Sequence, residues 1–421
     1  MDSRQKLLAD LAINGGAKVR TAPWPGRSHY GVEEKAAVDA LFDEAIASGN
    51  ATGYNGREEE AYCREFAEFM GGGYADGVNS GTTSVYVALR ALNLEPWSEV
   101  IVGCVTDPGG IMPVVLMNCI PMVADAAPGC YNSGPEQVEE LITPLTSAIL
   151  IAHIGGEPAD IEGIVRVARK HNLPVVEDCS QSHGAKLHGK YVGTFGDIAA
   201  FSTMFGKHHC TGGQGGVVFT RRENLYWAAR RVADRGKPFN LPAGSTNCVA
   251  SLNCNLNEIG SAIGRAQLRK LPAIVQSRQR VAELLRQELE SLKSIKIPSV
   301  IPGGEHSYWW WRLEVDCNAI TCSKADYCAA LIAEGLPVNP KYSGAMPHSF
   351  DWFCNRTVFG SSKLPWSSPL YSGEGDREFP CPNANTSMDT QFNLTIFESW
   401  GEAEIADVVA AFKKVDAAMS K

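Results

Sequence analysis

Lys207 is the residue whose surroundings most favour chemistry. It lies in a glycine-rich segment, 201–216, between two apolar runs at 197–202 and 216–220 that have the composition of strands. This arrangement predicts a tight corner rather than a solvated helix face. An amine buried at such a corner has a lowered pKa and is the neutral nucleophile that a Schiff base requires. The alternative is that Lys207 is an ordinary solvated lysine. The types of the neighbouring residues distinguish between these two interpretations.

A second polar segment, Ser-Gly-Thr-Thr at 80–83, joins a strand-like run at 74–78 to a helical pattern at 83–92. A helix N-terminus offers free backbone N–H groups and a partial positive charge. Gly81 lets a ligand approach the backbone, and the hydroxyls of Thr82 and Thr83 can donate hydrogen bonds. The segment is therefore suited to bind a phosphate, although a plain Ser/Thr helix cap is the alternative.

An acid follows a buried strand in the same half of the chain. Asp178 comes directly after the apolar run 174–177, where an unpaired carboxylate would be costly. Its partner is either an ordinary arginine or lysine, or a protonated pyridine nitrogen that the carboxylate stabilises. The phosphate site, this acid, Ser202 and Lys207 together match what pyridoxal phosphate requires.

The elements that must position these residues alternate between short β-rich runs and amphipathic helices. The pattern predicts an α/β fold with a mainly parallel sheet covered on both faces, and ligands of such sheets bind beyond the carboxyl ends of the strands. A long helix at 256–292 leaves this domain. We expect an N-terminal arm (1–30), a large cofactor-binding domain (31–274), a small α+β domain (275–421), and a long structured loop near substrate at 337–382.

Composition favours small-molecule substrates. The chain has 421 residues, 44% hydrophobic and 20% charged, and a formal net charge of −9 that disfavours nucleic acid or an anionic membrane surface. The 13 cysteines contain no Cys-x-x-Cys pair, which indicates reduced thiols in a cytoplasmic protein. Neither a signal peptide nor a membrane span is expected. His208, His209 and Cys210 are adjacent residues, which rarely bind one ion, and no second cluster has zinc-like spacing, so we expect no metal site.

The order and spacing of these motifs resemble the DegT/DnrJ/EryC1/StrS aminotransferases, the sugar and cyclitol branch of the fold-type I (aspartate aminotransferase-like) pyridoxal-phosphate enzymes. The resemblance covers nearly the whole chain. It rests on Asn-Ser-Gly-Thr at 79–82, Glu-Asp-Cys-Ser-Gln-Ser-His-Gly-Ala at 177–185, Phe-Ser at 201–202, Lys207, Gly-Gln-Gly-Gly at 213–216 and Asn-Cys-Asn-Leu-Asn-Glu at 253–258.

The resemblance implies a role for each matching position. Lys207 would carry the Schiff base and move the proton, Asp178 would pair with the pyridine nitrogen, and Gln181 would lie beside the 3-hydroxyl group. The phosphate would be held by four residues, Gly81, Thr82, Thr83 and Ser202. Asn253 would reach the phosphate of the neighbouring subunit, which makes a homodimer with shared active sites. The implied reaction transfers an amino group from glutamate or glutamine to a keto-sugar or keto-cyclitol.

Three positions depart from the family pattern. Asp107 stands where the family has an aromatic residue that stacks on the cofactor ring, Gln214 replaces a glutamate, and Asn255 replaces an arginine. An acid cannot stack, and its charge could change reactivity or require a cationic group on the substrate. Two alternatives stay open: a pyridoxal-dependent elimination, decarboxylation or oxidation, and a homologue that binds the cofactor without turnover.

Aromatic and polar residues of the second half are candidates for contact with substrate. The run Tyr308–Trp311 could stack on a sugar, but strand alternation favours a place in the core of the small domain. Lys341, Tyr342 and His348 lie in the irregular region and are further candidates.

Overall fold

The structure is a computed structural model that describes residues 3–342 and 346–421. Fourteen strands occur in the described residues: β1 (Tyr74–Val78), β2 (Glu99–Gly103), β3 (Ile120–Ala124), β4 (Thr146–Ala152), β5 (Val175–Asp178), β6 (Lys186–Leu187), β7 (Lys190–Tyr191), β8 (Ile198–Ser202), β9 (Gly216–Thr220), β10 (Ile295–Lys296), β11 (Gly304–Glu305), β12 (Trp311–Val315), β13 (Val338–Asn339) and β14 (Gln391–Leu394).

Seven of these strands form the central sheet, in the order β1-β9-β8-β5-β4-β2-β3. The pairs from β3 through β2, β4 and β5 to β8 are all parallel, and β9 runs antiparallel to both β8 and β1. Strands β3, β8 and β9 are buried along their whole length and are mostly apolar, without the alternating pattern of a sheet that has one face in solvent. The predicted α/β architecture with a mainly parallel sheet is confirmed.

Thirteen α-helices occur in the same described residues: α1 (Ser3–Asp10), α2 (Val32–Ser48), α3 (Arg57–Phe69), α4 (Gly81–Ala91), α5 (Met112–Leu116), α6 (Pro135–Glu139), α7 (Ile161–Lys170), α8 (Glu223–Ala233), α9 (Glu258–Leu289), α10 (Lys324–Ala333), α11 (Asp351–Cys354), α12 (Pro382–Thr390) and α13 (Glu402–Met419). Helix α4 packs on β8 and β9, and α3 packs on β1, so helices cover the central sheet.

A second hydrophobic core lies in the C-terminal part of the chain. It packs α10, α13 and the C-terminal half of α9 around a four-stranded antiparallel sheet, β10-β12-β14-β13. Helix α9 continues unbroken through residue 274, with Pro272 inside it. The division into domains at 274/275 stays a prediction.

The N-terminal segment is more regular than the sequence suggested. Helix α1 occupies 3–10, where we expected an irregular arm, and Leu11 is fully buried in the C-terminal core. Further along, the indole of Trp24 stacks on Trp400 with ring centroids 4.5 Å apart, and Arg20 pairs with Asp407 at 2.7 Å. Glycine and proline content suggested irregularity, but these long-range contacts order the segment.

In the part of the chain that the structure describes, every helix is too short or too polar to pass through a lipid bilayer.

Candidate active site

A cavity of about 230 Å³ lies beyond the carboxyl ends of β5 and β8 and in front of the N-terminus of α4. This is the place that the sheet topology predicts for a ligand. The cavity brings together most of the residues selected from the sequence: Gly81, Thr82, Asp107, Asp178, Gln181, Ser202 and Lys207.

Lys207 contributes a buried amine to this cavity. The residue is 6% exposed, and its Nζ lies 3.8 Å from the centroid of the Trp309 indole. Burial lowers the pKa of Lys207 to about 8, while the negative charges of Asp178 and Asp107 oppose this shift. The amine is therefore easier to deprotonate than an ordinary lysine, as the corner geometry predicts.

Asp178 ends β5 and places a carboxylate in the wall of the same cavity. Burial raises the pKa of this carboxyl group, against the stabilising hydrogen bond that the Ser180 N–H donates at 3.0 Å. Among the described residues no cationic side chain lies within ion-pair distance of it, and Lys207 acts on it only through its charge. A buried carboxylate in this situation is stabilised by a ligand that brings a positive charge.

The N-terminus of α4 and the end of β8 form a narrow polar cradle. Ser80 caps α4 by accepting the Thr83 N–H at 3.1 Å, which orients the first turn toward the cavity. A Cβ atom on Gly81 would lie 2.5 Å from the Cβ of Ser202, so only glycine lets these two segments approach. The Ser202 hydroxyl accepts one long bond, 3.4 Å from the Met204 N–H, and keeps its own proton available.

Gln181 is held by two hydrogen bonds on the wall of the cavity. Its Oε1 accepts the Gly155 N–H at 2.8 Å, and its Nε2 donates to the Tyr342 hydroxyl at 2.6 Å. The second bond joins the large sheet to the irregular region in which we expected contacts to substrate. Together the two bonds fix the orientation of the Gln181 amide on the cavity wall.

Asp107 lies at the mouth of the cavity, in a turn made of small residues. Its Oδ1 accepts the Gly109 N–H at 2.9 Å and caps the short 3₁₀ turn Pro108–Gly110. A Cβ on Gly109 would lie 2.4 Å from Thr82 Oγ1, and one on Gly110 would lie 3.1 Å from Asp178 Oδ2. The turn therefore packs closely on the cradle and on Asp178, and it presents a carboxylate where a stacking ring was expected from the family pattern.

Two of the selected residues lie outside the lining of the cavity. The Thr83 hydroxyl lies 2.8 Å from two acceptors, Asn79 Oδ1 and the Ser80 carbonyl oxygen, which share its one proton, so it supports the helix cap. Asn253 is exposed and accepts a 2.6 Å bond from Asn255 Nδ2. Its assigned contact with a neighbouring subunit's phosphate stays a prediction.

A largely buried hydrogen-bond network supports the end of β5. Glu177 accepts three backbone N–H bonds, from Gly193 at 2.6 Å, Phe195 at 2.8 Å and Gly196 at 2.6 Å. His153 Nδ1 accepts the Ala159 N–H, so its Nε2 carries the proton and donates to Glu177 at 3.1 Å. These bonds fix the strand that positions Asp178.

Trp309 and Arg27 are site residues that the sequence did not single out for this role. Tyr308 has φ +53°, so β12 begins only at Trp311 and Trp309 is free to turn toward Lys207. Arg27, from the N-terminal segment, donates from one guanidinium nitrogen to the carbonyls of Gly206 at 3.0 Å and Lys207 at 2.8 Å. No periodicity signals either contact.

The three adjacent residues considered as metal ligands point to different partners. His208 Nε2 lies 2.9 Å from the Ser307 carbonyl, His209 Nε2 lies 3.0 Å from the Tyr62 hydroxyl, and Cys210 contacts Tyr30. Each side chain serves the packing beneath the Lys207 corner.

The donor set of the cavity fits pyridoxal phosphate. The helix N-terminus, Gly81 and the available Ser202 proton suit a phosphate, the unpaired buried carboxylate of Asp178 suits a pyridinium nitrogen, and the deprotonatable amine of Lys207 suits an aldehyde.

Comparisons with known proteins agree with this fit. The DegT/DnrJ/EryC1/StrS aminotransferase family profile matches residues 32–413. The L-glutamine:2-deoxy-scyllo-inosose aminotransferase of Micromonospora echinospora is 28% identical over 426 residues, 96% of this chain and 97% of that protein. The GDP-perosamine synthase of Caulobacter vibrioides is 33% identical over 280 residues, 66% of this chain and 74% of that protein.

A solved aminotransferase structure from Psychrobacter cryohalolentis superposes with a TM-score of 0.77 at 26% identity, covering 93% of this chain and 97% of that chain. The fold-type I prediction is therefore confirmed, together with the cofactor that the family uses. The chain belongs to the DegT/DnrJ/EryC1/StrS aminotransferase family and is a pyridoxal-phosphate-dependent aminotransferase.

Proposed function

We propose that this enzyme transfers an amino group from glutamine or glutamate to a keto-cyclitol, with a keto-sugar as the second acceptor class. The observation that carries the proposal is the buried Lys207 amine, which shares one cavity with the unpaired Asp178 carboxylate and the Ser202 cradle. The cyclitol is preferred because the resemblance to the cyclitol aminotransferase spans 96% of the chain, against 66% for the GDP-perosamine synthase.

Different residues of the cavity would bind different groups of the cofactor. Gly81, Thr82 and Ser202 would hold the phosphate through backbone N–H and hydroxyl donors. Asp178 would hold the pyridine nitrogen in its protonated form, and Gln181, fixed by its two hydrogen bonds, would lie beside the ring's 3-hydroxyl group. When bound, pyridoxal phosphate supplies the electron sink that makes a proton on the substrate carbon acidic.

Lys207 is the base for that proton. Its pKa of about 8 leaves a useful neutral fraction near neutral pH, and the residue lines the cavity. Trp309 and the Arg27 bond to the Lys207 carbonyl hold the side chain and the backbone of this residue in place. Lys207 can therefore take the proton in the donor half-reaction and return it in the acceptor half-reaction.

We propose further that the active enzyme is a homodimer whose sites are shared. Two apolar side chains next to site residues are exposed: Phe205 at 66%, two residues before Lys207, and Leu252 at 60%, beside Asn253. A second copy would cover them and would bring its Asn253 amide to the cradle.

The dimer proposal is tested by mixing two inactive variants, Lys207→Ala and Asn253→Ala. A heterodimer contains one site with both residues intact, so activity returns on mixing only if the two residues come from different subunits. If the mixture stays inactive while mass spectrometry detects the heterodimer, the active sites are not shared between the two subunits.

The reaction is tested with purified protein reconstituted with pyridoxal phosphate. Glutamine or glutamate is supplied as donor, with 2-deoxy-scyllo-inosose or a GDP-linked keto-sugar as acceptor, and the amine product is detected by mass spectrometry. We expect the cyclitol amine from wild-type protein and none from Lys207→Ala. If the amine formed only on the nucleotide-linked sugar, the acceptor would be a keto-sugar and not a keto-cyclitol. If the donor alone released an elimination product, the reaction would be an elimination and not a transamination.

A further inference from the structure

A cluster of metal-ligating side chains lies outside the cofactor cavity. Cys104 follows β2, Asp125 follows β3, and Cys381 is the N-cap of α12. One ligand atom from each of the three lies within 4.8 Å of the other two, and Cys104 Sγ is 4.0 Å from Asp125 Oδ1. Three separate elements therefore converge on one point with two thiols and a carboxylate.

The carboxylate of this cluster is oriented before any ligand binds. Asp125 accepts N–H bonds from Asn383 at 2.9 Å and Ala384 at 3.0 Å, in the first turn of α12, and from Ala126 at 2.7 Å. Among the described residues it has no ion pair with a lysine or arginine. Both cysteines are buried. The cluster therefore holds two thiols and one carboxylate close together, and no described lysine or arginine forms an ion pair with that carboxylate.

A histidine lies next to the cluster. The ring of His348 lies within hydrogen-bond reach of the Cys381 sulfur, and the residue is only 8% exposed. Its Nδ1 has no hydrogen-bond partner. The nitrogens of His348 lie outside the set of three ligand atoms that are within 4.8 Å of one another, so the ring would move closer to serve as a fourth ligand.

We propose that Cys104, Cys381, Asp125 and His348 bind one zinc ion. Two thiolates, an imidazole and a carboxylate are ligands that Zn²⁺ accepts in tetrahedral geometry, whereas Mg²⁺ and Ca²⁺ prefer oxygen ligands alone. The backbone N–H bonds to Asp125 would act as the outer support that orients a metal ligand. We expected no metal because the adjacent residues 208–210 rarely bind one ion and no other cluster had zinc-like spacing, but these four ligands are far apart in the sequence.

The role of this ion would be structural. It would tie the ends of β2 and β3 to His348 and Cys381, which bracket the irregular segment 349–380. Cys104 precedes Thr106, which lines the cofactor cavity, so the same ion would also anchor the turn that carries Asp107. Four protein ligands leave no open position for substrate, and catalysis by the ion is not expected.

Metal analysis of the whole enzyme tests the proposal. Protein produced in zinc-supplemented medium and dialysed against a weak chelator is expected to retain about one zinc per chain. The Cys104→Ser and Cys381→Ser variants should lose it, while Cys248→Ser, at an exposed cysteine outside the cluster, should retain it. We also expect lower thermal stability in the two variants that lose the ion.

Cobalt provides a readout that does not depend on whether those variants fold. Wild-type protein produced with Co²⁺ is expected to show thiolate-to-cobalt charge-transfer absorption and the visible bands of a tetrahedral ion. Wild-type protein without stoichiometric zinc and without the cobalt bands would overturn the proposal. So would zinc retained in both cysteine variants, or a Cys104–Cys381 disulfide found by peptide mapping of the metal-supplemented protein.

Discussion

The amine of Lys207 lies 3.8 Å from the centroid of the Trp309 indole ring. The Trp309 Nε1–H donates to the Gly206 carbonyl at 3.2 Å, so the indole is tied to the residue immediately before the lysine. A side chain with four rotatable bonds is thereby held against a rigid surface at the edge of the cavity. The contact with Trp309 therefore orients the Lys207 amine before the cofactor binds.

The lowered pKa of Lys207 predicts how cofactor capture depends on pH. Burial lowers this pKa from 10.5 to about 8, so the neutral amine is the minor form below pH 8 and the major form above it. Capture of pyridoxal phosphate by the cofactor-free protein should accelerate roughly tenfold per pH unit below pH 8 and level off above it. Stopped-flow absorption measures the rate, with a blocked lysine derivative as reference. A rate that rises steadily toward pH 10 contradicts the lowered pKa.

Asp107 should influence that midpoint through its charge. The carboxylate raises the pKa of Lys207, and Asp107→Asn removes this effect while the amide oxygen can still accept the Gly109 N–H. We therefore expect the midpoint of cofactor capture to move to lower pH. Asp39→Asn, which changes an exposed carboxylate paired with Lys35, is the matched control and should leave the midpoint unchanged. A midpoint that stays in place or rises in Asp107→Asn would show that the two side chains do not interact.

Gly81→Ala should weaken cofactor binding because the cradle has no room for a side chain. The added Cβ would lie 2.5 Å from Ser202 Cβ and 2.8 Å from its Oγ, and such overpacking costs about 1–3 kcal/mol. A loss of affinity for pyridoxal phosphate of roughly tenfold corresponds to the lower part of this range. Fluorescence titration measures it. Gly213→Ala, whose Cβ would meet no atom within 4 Å, should bind as wild type, and equal affinities in all three proteins would refute the cradle.

Arg27→Ala should destabilise the protein more than a surface arginine does. Arg27 donates to the carbonyls of Gly206 and Lys207 and pairs with Glu398 at 3.0 Å, all in a largely buried place. Charged hydrogen bonds of this kind contribute about 1.5–3 kcal/mol to the free energy of unfolding. Urea unfolding of the full chain measures the change. The exposed Arg57→Ala is the control, expected within about 0.5 kcal/mol of wild type, and similar losses in both variants would contradict the anchoring role.

The sequence predicted the central sheet well because its strands are short, apolar and bounded by turn residues. The expected strands at 74–78 and 216–220 coincide with β1 and β9, and the runs expected at 174–177 and 197–202 differ from β5 and β8 by one residue at one or both ends. Parallel strands bring their carboxyl ends to one edge, so Asp178 and the residues near 81 were correctly placed together. The site chemistry followed from topology plus residue type.

The parts that escaped prediction depend on contacts between distant residues. Arg27 lies 180 positions from the Lys207 carbonyl it contacts, and no local pattern signals that bond. The run Tyr308–Trp311 was expected to alternate as a strand, but Tyr308 has a positive φ, β12 begins only at Trp311, and Trp309 turns toward the lysine. The contact of the Thr83 hydroxyl with the Ser80 carbonyl was not predicted either, and the assignment of Thr83 to the phosphate stays a prediction.

The central claim is that the Lys207 amine captures pyridoxal phosphate and then moves the proton. The most direct measurement is the visible absorption spectrum of the protein with pyridoxal phosphate, before and after addition of glutamine, for wild type and Lys207→Ala. For wild type we predict a yellow band that glutamine bleaches. For Lys207→Ala we predict neither the band nor the bleaching, and a turnover reduced by about 10²–10⁴-fold or more. A band that persists in Lys207→Ala with the same response to glutamine would contradict the account.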